Sequence, residues 1–433
     1  SLVSAQGRVF YVYDEGLIGI TDERLPSQWA LIARDAFNGF VLWKKPMPEW
    51  GWREWDYANR AGQDWTKIKG GRGNIPNSAF RRLVAAGDKV YTTLAYVAPL
   101  VYLDAATGEV LRTVENTMGT DEILHIDGTV LVCLRDIQSQ HHARRTGEGI
   151  PETIVALDAE TGEERWRIEA GRVVPETLAA QDGRVVYANG AALVGLDIKS
   201  GEELWRTNDK VSPPLVLYEN VALVRGGNKL TAYSLSNGAR KWTRPMPTSP
   251  GATKVDLLVA KGLVWSGETT PGLINDPATF WDSPFNKPRS PKTGVHMIGL
   301  DPGSGETFQD ISIANLVSPG HHFRCYRSKA TNDFILWPKR GIEFVDLKGE
   351  DHKRHDWVRG ICRYGIMPAN GLLYVPPHQC FCYQGALLRG FNALAPAATI
   401  QPGGDSGPSL IKGPAYSKTE CQPAADTEWP TFR

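Results

Sequence analysis

An internal repeat constrains this chain more than any other feature of its sequence. In the segment 154–166, a run of mostly apolar residues leads to Asp158, Gly162 follows four positions later, and Trp166 ends the unit. The segment 193–205 repeats this order, with Asp197, Gly201 and Trp205 at the same places. Four further copies and two degenerate ones occur along the chain, at 31–43, 101–111, 230–242, 297–308, 342–346 and 388–394.

Each copy predicts a β-hairpin. The apolar run suits one strand, and an aspartate starts a tight turn because its carboxylate accepts backbone N–H groups that follow it. Glycine supplies the positive φ that such a turn needs. The tryptophan at the end of the second strand can fill the space between neighbouring sheets and bury a large apolar area.

A second turn between two short apolar runs precedes every copy, so each unit holds two hairpins and four strands. The sequence therefore predicts an all-β fold, an eight-bladed β-propeller with four-stranded antiparallel blades. A β-sandwich or two smaller barrels would not require such regular pairs of signals. The second turns lie at Gln6-Gly7, Gly87-Asp88, Asp127-Gly128, Asp182-Gly183, Glu219-Asn220, Lys261-Gly262, Asn332-Asp333 and Asn370-Gly371.

The blade frame resembles the pyrroloquinoline-quinone-like (quinoprotein-like) β-propeller repeat family, and the resemblance covers nearly the whole chain. That family includes quinoprotein dehydrogenases and a bacterial outer-membrane assembly lipoprotein, so the resemblance implies the fold more than a function. We predict a propeller over 1–400 and a Gly/Pro-rich tail over 401–433 that closes the ring or links to a further module. The ending Trp429-Pro430-Thr431-Phe432-Arg433 resembles the segment that opens such a propeller, so the whole resembles the first propeller of a larger secreted bacterial multidomain protein.

Charge and hydropathy exclude several classes of partner. The chain has 48 basic and 48 acidic residues, and this balance favours neither nucleic acid nor an anionic membrane. No apolar run approaches the roughly 18 residues of a membrane span. No signal peptide is visible, but the chain begins inside a strand pattern, as expected of a processed protein or a piece of a longer one.

The six cysteines leave two interpretations open. Cys133 stands in an apolar strand pattern and is expected to be a small buried residue. Cys325, Cys362, Cys380 and Cys382 are the disulfide candidates, whereas His378, Cys380 and Cys382 form the alternative metal site for zinc or copper. We favour two disulfides, since strands of adjacent blades lie close together and such proteins are usually exported. The predicted location is therefore periplasmic or extracellular.

Three insertions, at 47–80, 135–152 and 266–294, decorate the predicted ring. Long loops of a propeller gather at one end and rim the central funnel. Trp50 and Trp52 in the first insertion suit stacking on the apolar faces of sugars, and the alternative is that these rings pack under their own loop.

The stretch 320–383 carries more His, Arg and Tyr than a blade core can use, because burying unpaired charge is costly. Its segments fall where the inner strands of the last blades are expected, so we predict that they line an axial funnel and bind an anionic ligand. The predicted catalytic residues are His321, His322, Tyr326, Tyr364 and His378. The predicted ligand-binding residues are Arg324, Arg327, Lys329, Arg340, Arg359 and Arg363, together with Trp50 and Trp52.

Three functions fit this pattern. The first is binding of an acidic carbohydrate, with polysaccharide lyase activity by β-elimination, which needs a base, an acid and a cation that neutralises the carboxylate. The second is a non-catalytic propeller that binds a glycan or a protein and positions flanking domains. The third is a quinoprotein dehydrogenase, but Phe381 splits the cysteine pair that is adjacent in those enzymes, and no calcium set is evident. No cofactor is therefore predicted; zinc, copper or calcium stay open, and pyrroloquinoline quinone is disfavoured.

Overall fold

The fold of the chain is described from a computed structural model. The residues that the structure describes are 2–16, 27–55, 76–136, 151–226, 229–245, 257–269, 295–313, 316, 326–338, 341–360, 364–377 and 388–396. They form eight antiparallel sheets, in each of which the strands follow one another in chain order. The chain is thus an eight-bladed β-propeller, as the repeat predicts.

Four sheets come from the first part of the chain. The first contains β1 (Leu2–Ala5), β2 (Arg8–Asp14), β3 (Trp29–Asp35) and β4 (Val41–Pro46). The second contains β5 (Leu83–Ala86), β6 (Lys89–Thr92), β7 (Leu100–Asp104) and β8 (Val110–Val114). The third contains β9 (Thr120–Ile126), β10 (Thr129–Leu134), β11 (Glu152–Asp158) and β12 (Glu164–Gly171). The fourth contains β13 (Ala179–Gln181), β14 (Arg184–Ala188), β15 (Leu193–Asp197) and β16 (Glu203–Arg206).

The remaining sheets repeat this order. The fifth contains β17 (Ser212–Tyr218), β18 (Val221–Gly226), β19 (Lys229–Ser234) and β20 (Arg240–Pro245). The sixth contains β21 (Leu258–Ala260), β22 (Leu263–Thr269), β23 (Val295–Leu300) and β24 (Thr307–Ser312). The seventh contains β25 (Lys329–Ala330), β26 (Phe334–Trp337), β27 (Ile342–Asp346) and β28 (Lys353–His355). The eighth has three strands within the described residues, β29 (Met367–Ala369), β30 (Leu372–Val375) and β31 (Asn392–Leu394).

Three helical segments of the described chain, all short, have defined bounds. They are the helix α1 (Trp52–Trp55) and the 3-10 turns Asn77–Phe80 and Glu115–Thr117. No helix among these residues is long and apolar enough to cross a membrane.

The predicted turns have the predicted geometry. The N–H of Gly162 donates to the carbonyl of Asp158 at 2.9 Å, and the glycines of the other five full copies make the same bond across their turns. The Asp158 carboxylate accepts the N–H groups of Glu160 and Thr161 at 2.9 and 2.8 Å. At five of the eight second turns both central residues have positive φ, as at Asp127 and Gly128, which matches the twist of a hairpin.

The eighth copy is shifted from its predicted place. In the degenerate copy 388–394, alignment with the other copies puts Asn392 at the place of the turn aspartate, but Asn392 begins strand β31 and pairs with Val375. Leu394 pairs with Leu373, so the next position, Ala395, stands opposite the first residue of β30. In five other sheets an aspartate lies opposite that first residue, as Asp104 lies opposite Lys89. The prediction for Asn392 was wrong by three residues because the degenerate copy lacks both aspartate and tryptophan.

The described residues belong to two compact units. The first comprises Ser1–His125, Ile361–Gln384 and Leu388–Arg433, and the second comprises Ile126–Gly360 with Gly385–Leu387. Within the first unit, the last sheet lies against the first. There β29 lies beside β1, and the Tyr374 hydroxyl donates to the carbonyl of Ala36 at 2.9 Å.

Within the second unit, β13, β17, β21 and β25 lie in succession beside one another. The first strands of neighbouring sheets therefore adjoin, as expected for the inner strands of blades. The last strands lie at the outside and alternate between exposed and covered side chains.

Candidate functional site

Much of the predicted site lies outside the described residues. This holds for the catalytic candidates His321, His322 and His378, for the arginines Arg324, Arg340 and Arg363, and for the disulfide candidates Cys325, Cys362, Cys380 and Cys382. Their convergence, the disulfides, the alternative metal site and the tail 401–433 therefore stay predictions. Within the described part of the chain, no group of three or more His, Cys, Asp or Glu side chains could hold a metal ion.

Tyr326 is a buried structural residue of the second unit. Its hydroxyl donates to the carbonyl of Gly341 at 3.3 Å and accepts the N–H of Gly360 at 3.1 Å. These two bonds tie the segment before β25 to the segments on either side of β27 and β28. A hydroxyl committed in this way holds loops together and offers no free atom for acid–base chemistry in this conformation.

The basic residues near Tyr326 also face the protein itself. The Arg327 guanidinium lies 3.6 Å from the carboxylate of Glu176. Lys329 and Arg359 are buried, and both have partners within the fold. Burial of an unpaired charge would cost several kcal/mol, so such partners are expected. Anion binding by these three side chains stays a prediction that would require them to exchange partners.

Tyr364 lies in the first unit and is fully buried. Its hydroxyl donates to the carbonyl of Val12 at 3.0 Å, and its ring meets Phe80 edge-on at 4.7 Å between centroids. Burial raises the pKa of this phenol far above its usual value. A phenol of this kind stays protonated and acts as a donor that links two segments, which does not favour a role as the catalytic base.

The tryptophans of the first insertion form a satellite cluster rather than a row of exposed rings. Trp50 is buried and meets Trp55 and Tyr96 edge-on, at 6.0 and 6.2 Å between centroids. Trp55 also meets Trp29 edge-on at 5.7 Å. Trp52 is half-buried, with the Arg53 guanidinium 5.6 Å from its ring. Trp50 therefore packs under its own loop, which is the alternative that the sequence left open. Glycan stacking by Trp50 or Trp52 stays a prediction.

A buried ionic cluster lies under this aromatic cluster and was not foreseen from the sequence. Arg81 and Arg82, just before β5, share the carboxylate of Asp121 on β9, at 2.6 and 2.9 Å. The Arg81 guanidinium also lies 3.4 Å from the carboxylate of Glu122. Arg82 is 1 % exposed, and its guanidinium lies 5.0 Å from the Tyr96 ring.

This ionic cluster ties the first strands of two neighbouring sheets together inside the first unit. The N–H of Ile123 donates to the carbonyl of Arg81 at 2.9 Å and adds a backbone link at the same place. Each oxygen of the Asp121 carboxylate accepts a hydrogen bond from one of the two arginines. The cluster therefore links the two sheets in this conformation and is not an open anion site.

Cys133 is confirmed as a buried residue. Its sulfur lies 3.8 Å from the Glu152 carboxylate, which also pairs with Arg135 at 2.8 Å and accepts the N–H of Val173 at 2.9 Å. Here too the charged groups satisfy one another within the second unit.

The outer strands differ in what they present to solvent. In β12 and β16, Arg167 pairs with Glu164 and Arg206 pairs with Glu203, along the strand itself. In the first two sheets, valine takes the place of the glutamate, as Val41 in β4 and Val110 in β8, whereas Lys44 and Thr113 take the place of the arginine. Large exposed apolar side chains there are Phe40, Val41 and Leu42 at β4, and Val110 and Leu111 in β8.

Exposed apolar side chains in neighbouring positions are the usual mark of an interaction surface. Two features therefore stand out among the described residues. Charged side chains in the interior pair with one another, and exposed apolar side chains lie at β4 and β8 on the surface.

Comparison with known proteins gives a family model that matches part of the chain. A family model described as "Outer membrane protein assembly factor BamB" matches residues 100–269, from β7 to β22. No curated protein matches the chain.

Solved structures with a likeness to the chain have low sequence identity. BamB from Moraxella catarrhalis is 14 % identical, with 82 % of this chain and 92 % of that chain covered and a TM-score of 0.43. Quinohemoprotein alcohol dehydrogenase from Comamonas testosteroni is 14 % identical, with 86 % and 69 % covered and a TM-score of 0.47. The computationally designed Ika8 protein is 12 % identical, with 86 % and 91 % covered and a TM-score of 0.49.

All three TM-scores are below 0.5. The family match and the sheets rest on the same residues: the matched segment carries four copies of the repeat, each with the glycine turn described above. Residues 100–269 are therefore similar to the PQQ-like β-propeller repeat family, and the copies of the repeat outside that segment form antiparallel sheets of the same kind.

Proposed function

We propose that this chain is a non-catalytic β-propeller that binds a partner polypeptide through the outer strands of its sheets. The observation that carries the proposal is the run of exposed apolar residues at the start of β4 and β8, where β12 and β16 have a glutamate that pairs along its own strand. An edge strand with exposed apolar side chains is a ready template for another chain, and proteins normally cover or charge such edges.

Two further observations support this function over chemistry. Tyr326 and Tyr364, the predicted acid–base residues within the described chain, use their hydroxyls in hydrogen bonds to backbone groups. The matching family model is named for an outer membrane protein assembly factor, which supports a role in binding other polypeptides and a periplasmic location.

A photo-crosslinking experiment tests the proposal. A photo-reactive phenylalanine analogue is introduced, one position at a time, at Phe40, Leu111, Leu204 and Phe308, all of which are exposed, and at buried Leu157 as the control. The full chain is produced in the envelope of a bacterium and irradiated. We expect protease-sensitive adducts at one or more exposed positions and none at Leu157. Absence of adducts at every exposed position would overturn the proposal.

Acidic-carbohydrate binding, with lyase activity, is the second candidate function. What favours it is the density of His, Arg and Tyr in 320–383, most of which lies outside the described residues. Purified protein is incubated with a panel of acidic polysaccharides, and the near-ultraviolet absorbance of an unsaturated uronate is followed. Product formation would establish the lyase and overturn the non-catalytic proposal. A coloured protein with quinone absorbance would instead indicate a dehydrogenase.

A further inference from the structure

The outer strand of the second sheet has a free edge. Within the described residues β8 pairs only with β7, so the backbone groups on its other side have no strand partner. Unpaired N–H and C=O groups in a row can accept an added strand. The same is true of the outer strands in the other sheets, so the edge alone does not single out β8.

The side chains of β8 distinguish it from the charged outer strands. Val110 and Leu111 are exposed, Leu111 to 53 %, and Thr113 is exposed beside them. By contrast β16 places exposed Leu204 directly after Glu203, whose carboxylate pairs with Arg206. Charges along an edge discourage strand addition, and β8 carries one charged residue, Arg112.

Arg112 occupies a special position. In four other sheets the residue at this register is the interblade tryptophan, opposite Ala33, Ala156, Gly195 or Ala232. In the second sheet the opposite residue is Tyr102, which is fully buried. Because the large buried side chain of this pair is Tyr102 on β7, position 112 on β8 does not hold a buried tryptophan. It is exposed to solvent and holds the cation of Arg112. Arg112 makes no hydrogen bond or ion pair with another described residue.

We propose that β8 is the docking site for an extended polypeptide segment in which apolar residues alternate with carboxylates. The register shift between Tyr102 and Leu103 puts a bulge at Leu111, so Val110 and Arg112 lie on opposite faces of the sheet. Backbone groups of the segment pair with the free edge of β8, its apolar side chains cover Val110 and Leu111, and a carboxylate on the opposite face from Val110 meets Arg112. Opposite charges across a strand pair stabilise it. This inference rests on the proposed function and names the class of partner.

A second copy of this chain fits the edge less well. An antiparallel pair of β8 strands centred on the five-residue strand would set Arg112 directly opposite Arg112 of the other copy. Like charges at directly opposed positions destabilise a strand pair. The cation therefore selects an acidic segment over self-association.

Peptide binding to the full chain tests the assignment. The probe is a fluorescently labelled peptide of alternating valine and glutamate, and fluorescence anisotropy is measured. A valine–lysine peptide and a valine–glutamate peptide with a central proline are the comparison probes. We expect saturable binding of the first probe and at least roughly tenfold weaker binding of the other two. The proline peptide tests backbone pairing, because proline lacks the N–H that an added strand needs.

Three variants locate the site. Leu111→Lys and Arg112→Glu should each weaken binding of the acidic peptide by roughly tenfold, and Arg112→Glu should bind the valine–lysine peptide better than the acidic one. Leu204→Lys is the matched control, since Leu204 is an exposed leucine at 44 % on a charged outer strand, and it should bind as the unaltered chain does. Circular dichroism confirms that each variant is folded.

Four outcomes would overturn the assignment. They are the lack of saturable binding, equal weakening by Leu204→Lys, an unchanged peptide preference in Arg112→Glu, or a concentration-dependent increase in size that Leu111→Lys abolishes, which would identify a second copy as the occupant. Adducts at Phe40, Leu204 or Phe308 in the crosslinking experiment, combined with failure at β8, would leave the proposed function standing and remove this site alone.

Discussion

The indole of Trp166 lies directly on Gly201 of the next sheet, and its N–H donates to the carbonyl of Ile198 at 2.8 Å. A Cβ added to Gly201 would stand 2.7 Å from this ring. The same relationship joins Trp43 to Gly108, Trp205 to Gly238 and Trp242 to Gly305. The glycine of the turn thus has two tasks: it adopts positive φ within its own sheet, and it leaves room for the tryptophan of the sheet before.

These two tasks can be separated by one pair of variants. Gly201 and Gly39 both have φ of +74°, but nothing lies within 4 Å of a Cβ added at Gly39. Gly39→Ala should lose only the conformational contribution, about 1–2 kcal/mol. Gly201→Ala should lose more, because the indole must also move. Urea unfolding of the two variants measures the difference, and equal losses would show that the ring yields without cost.

The tryptophans themselves should differ in their contribution. Trp166 is buried, whereas Trp43 is half-buried at the equivalent place. Trp166→Ala should lower the free energy of unfolding by about 3–5 kcal/mol, as for other large buried aromatic residues, and Trp43→Ala by less. Denaturant titration compares them. A loss below about 1 kcal/mol for Trp166→Ala would mean that the ring does not fill the space between sheets.

The repeat could be predicted from the sequence because its signals are local. Asp158, Gly162 and Trp166 lie within one hairpin, so a single window of sequence contains the turn, its acceptor and its packing residue. Where a copy degenerates, the prediction loses accuracy, as at Asn392. In the sixth sheet Gln309 takes the tryptophan's register and donates to the carbonyl of Leu347 at 2.6 Å, as the indole N–H of Trp166 does to Ile198. An amide can replace an indole donor, but nothing in the local sequence indicates it.

The interior site features could not be predicted for a different reason. Arg81 and Asp121 are 40 residues apart and belong to different sheets, so their pairing depends on how the sheets adjoin. The sequence shows only an arginine pair before one strand and an acidic pair in another. Similarly, the richness of 320–383 in His, Arg and Tyr indicated a site, but composition does not tell whether a hydroxyl such as that of Tyr326 faces a ligand or a backbone carbonyl.

The buried ionic cluster predicts a large difference between interior and surface ion pairs. Asp121→Asn would leave two buried guanidinium groups without their shared carboxylate, and breaking a buried pair costs about 3–5 kcal/mol. Glu203→Gln removes an exposed carboxylate that pairs with Arg206, and such pairs contribute about 0–1 kcal/mol. Urea midpoints of both variants measure this contrast. Similar losses for the two would show that water reaches the Arg81–Asp121 pair.

Acid should destabilise this propeller through its repeated turns. Backbone N–H groups lower the pKa of Asp158, through Thr161 and with help from the Arg165 guanidinium, and Ser200 and Ser304 do the same for Asp197 and Asp301. Each aspartate therefore titrates lower in the folded chain than in the unfolded chain, where its pKa is about 3.9. The stabilisation is fully present above that value. It is lost as the pH falls from about 4 towards the folded-state pKa, since the unfolded chain takes up protons first.

Asparagine at the three positions keeps an oxygen acceptor for the turn and removes the titration. The variant Asp158→Asn with Asp197→Asn and Asp301→Asn should therefore lose less stability between about pH 6 and pH 2 than the unaltered chain. The fifth sheet provides an internal precedent, because Ser234 holds the aspartate's place and its turn still closes by the bond from Gly238. Urea midpoints across this pH range measure the slope. An identical slope for the triple variant would place the acid sensitivity elsewhere in the chain.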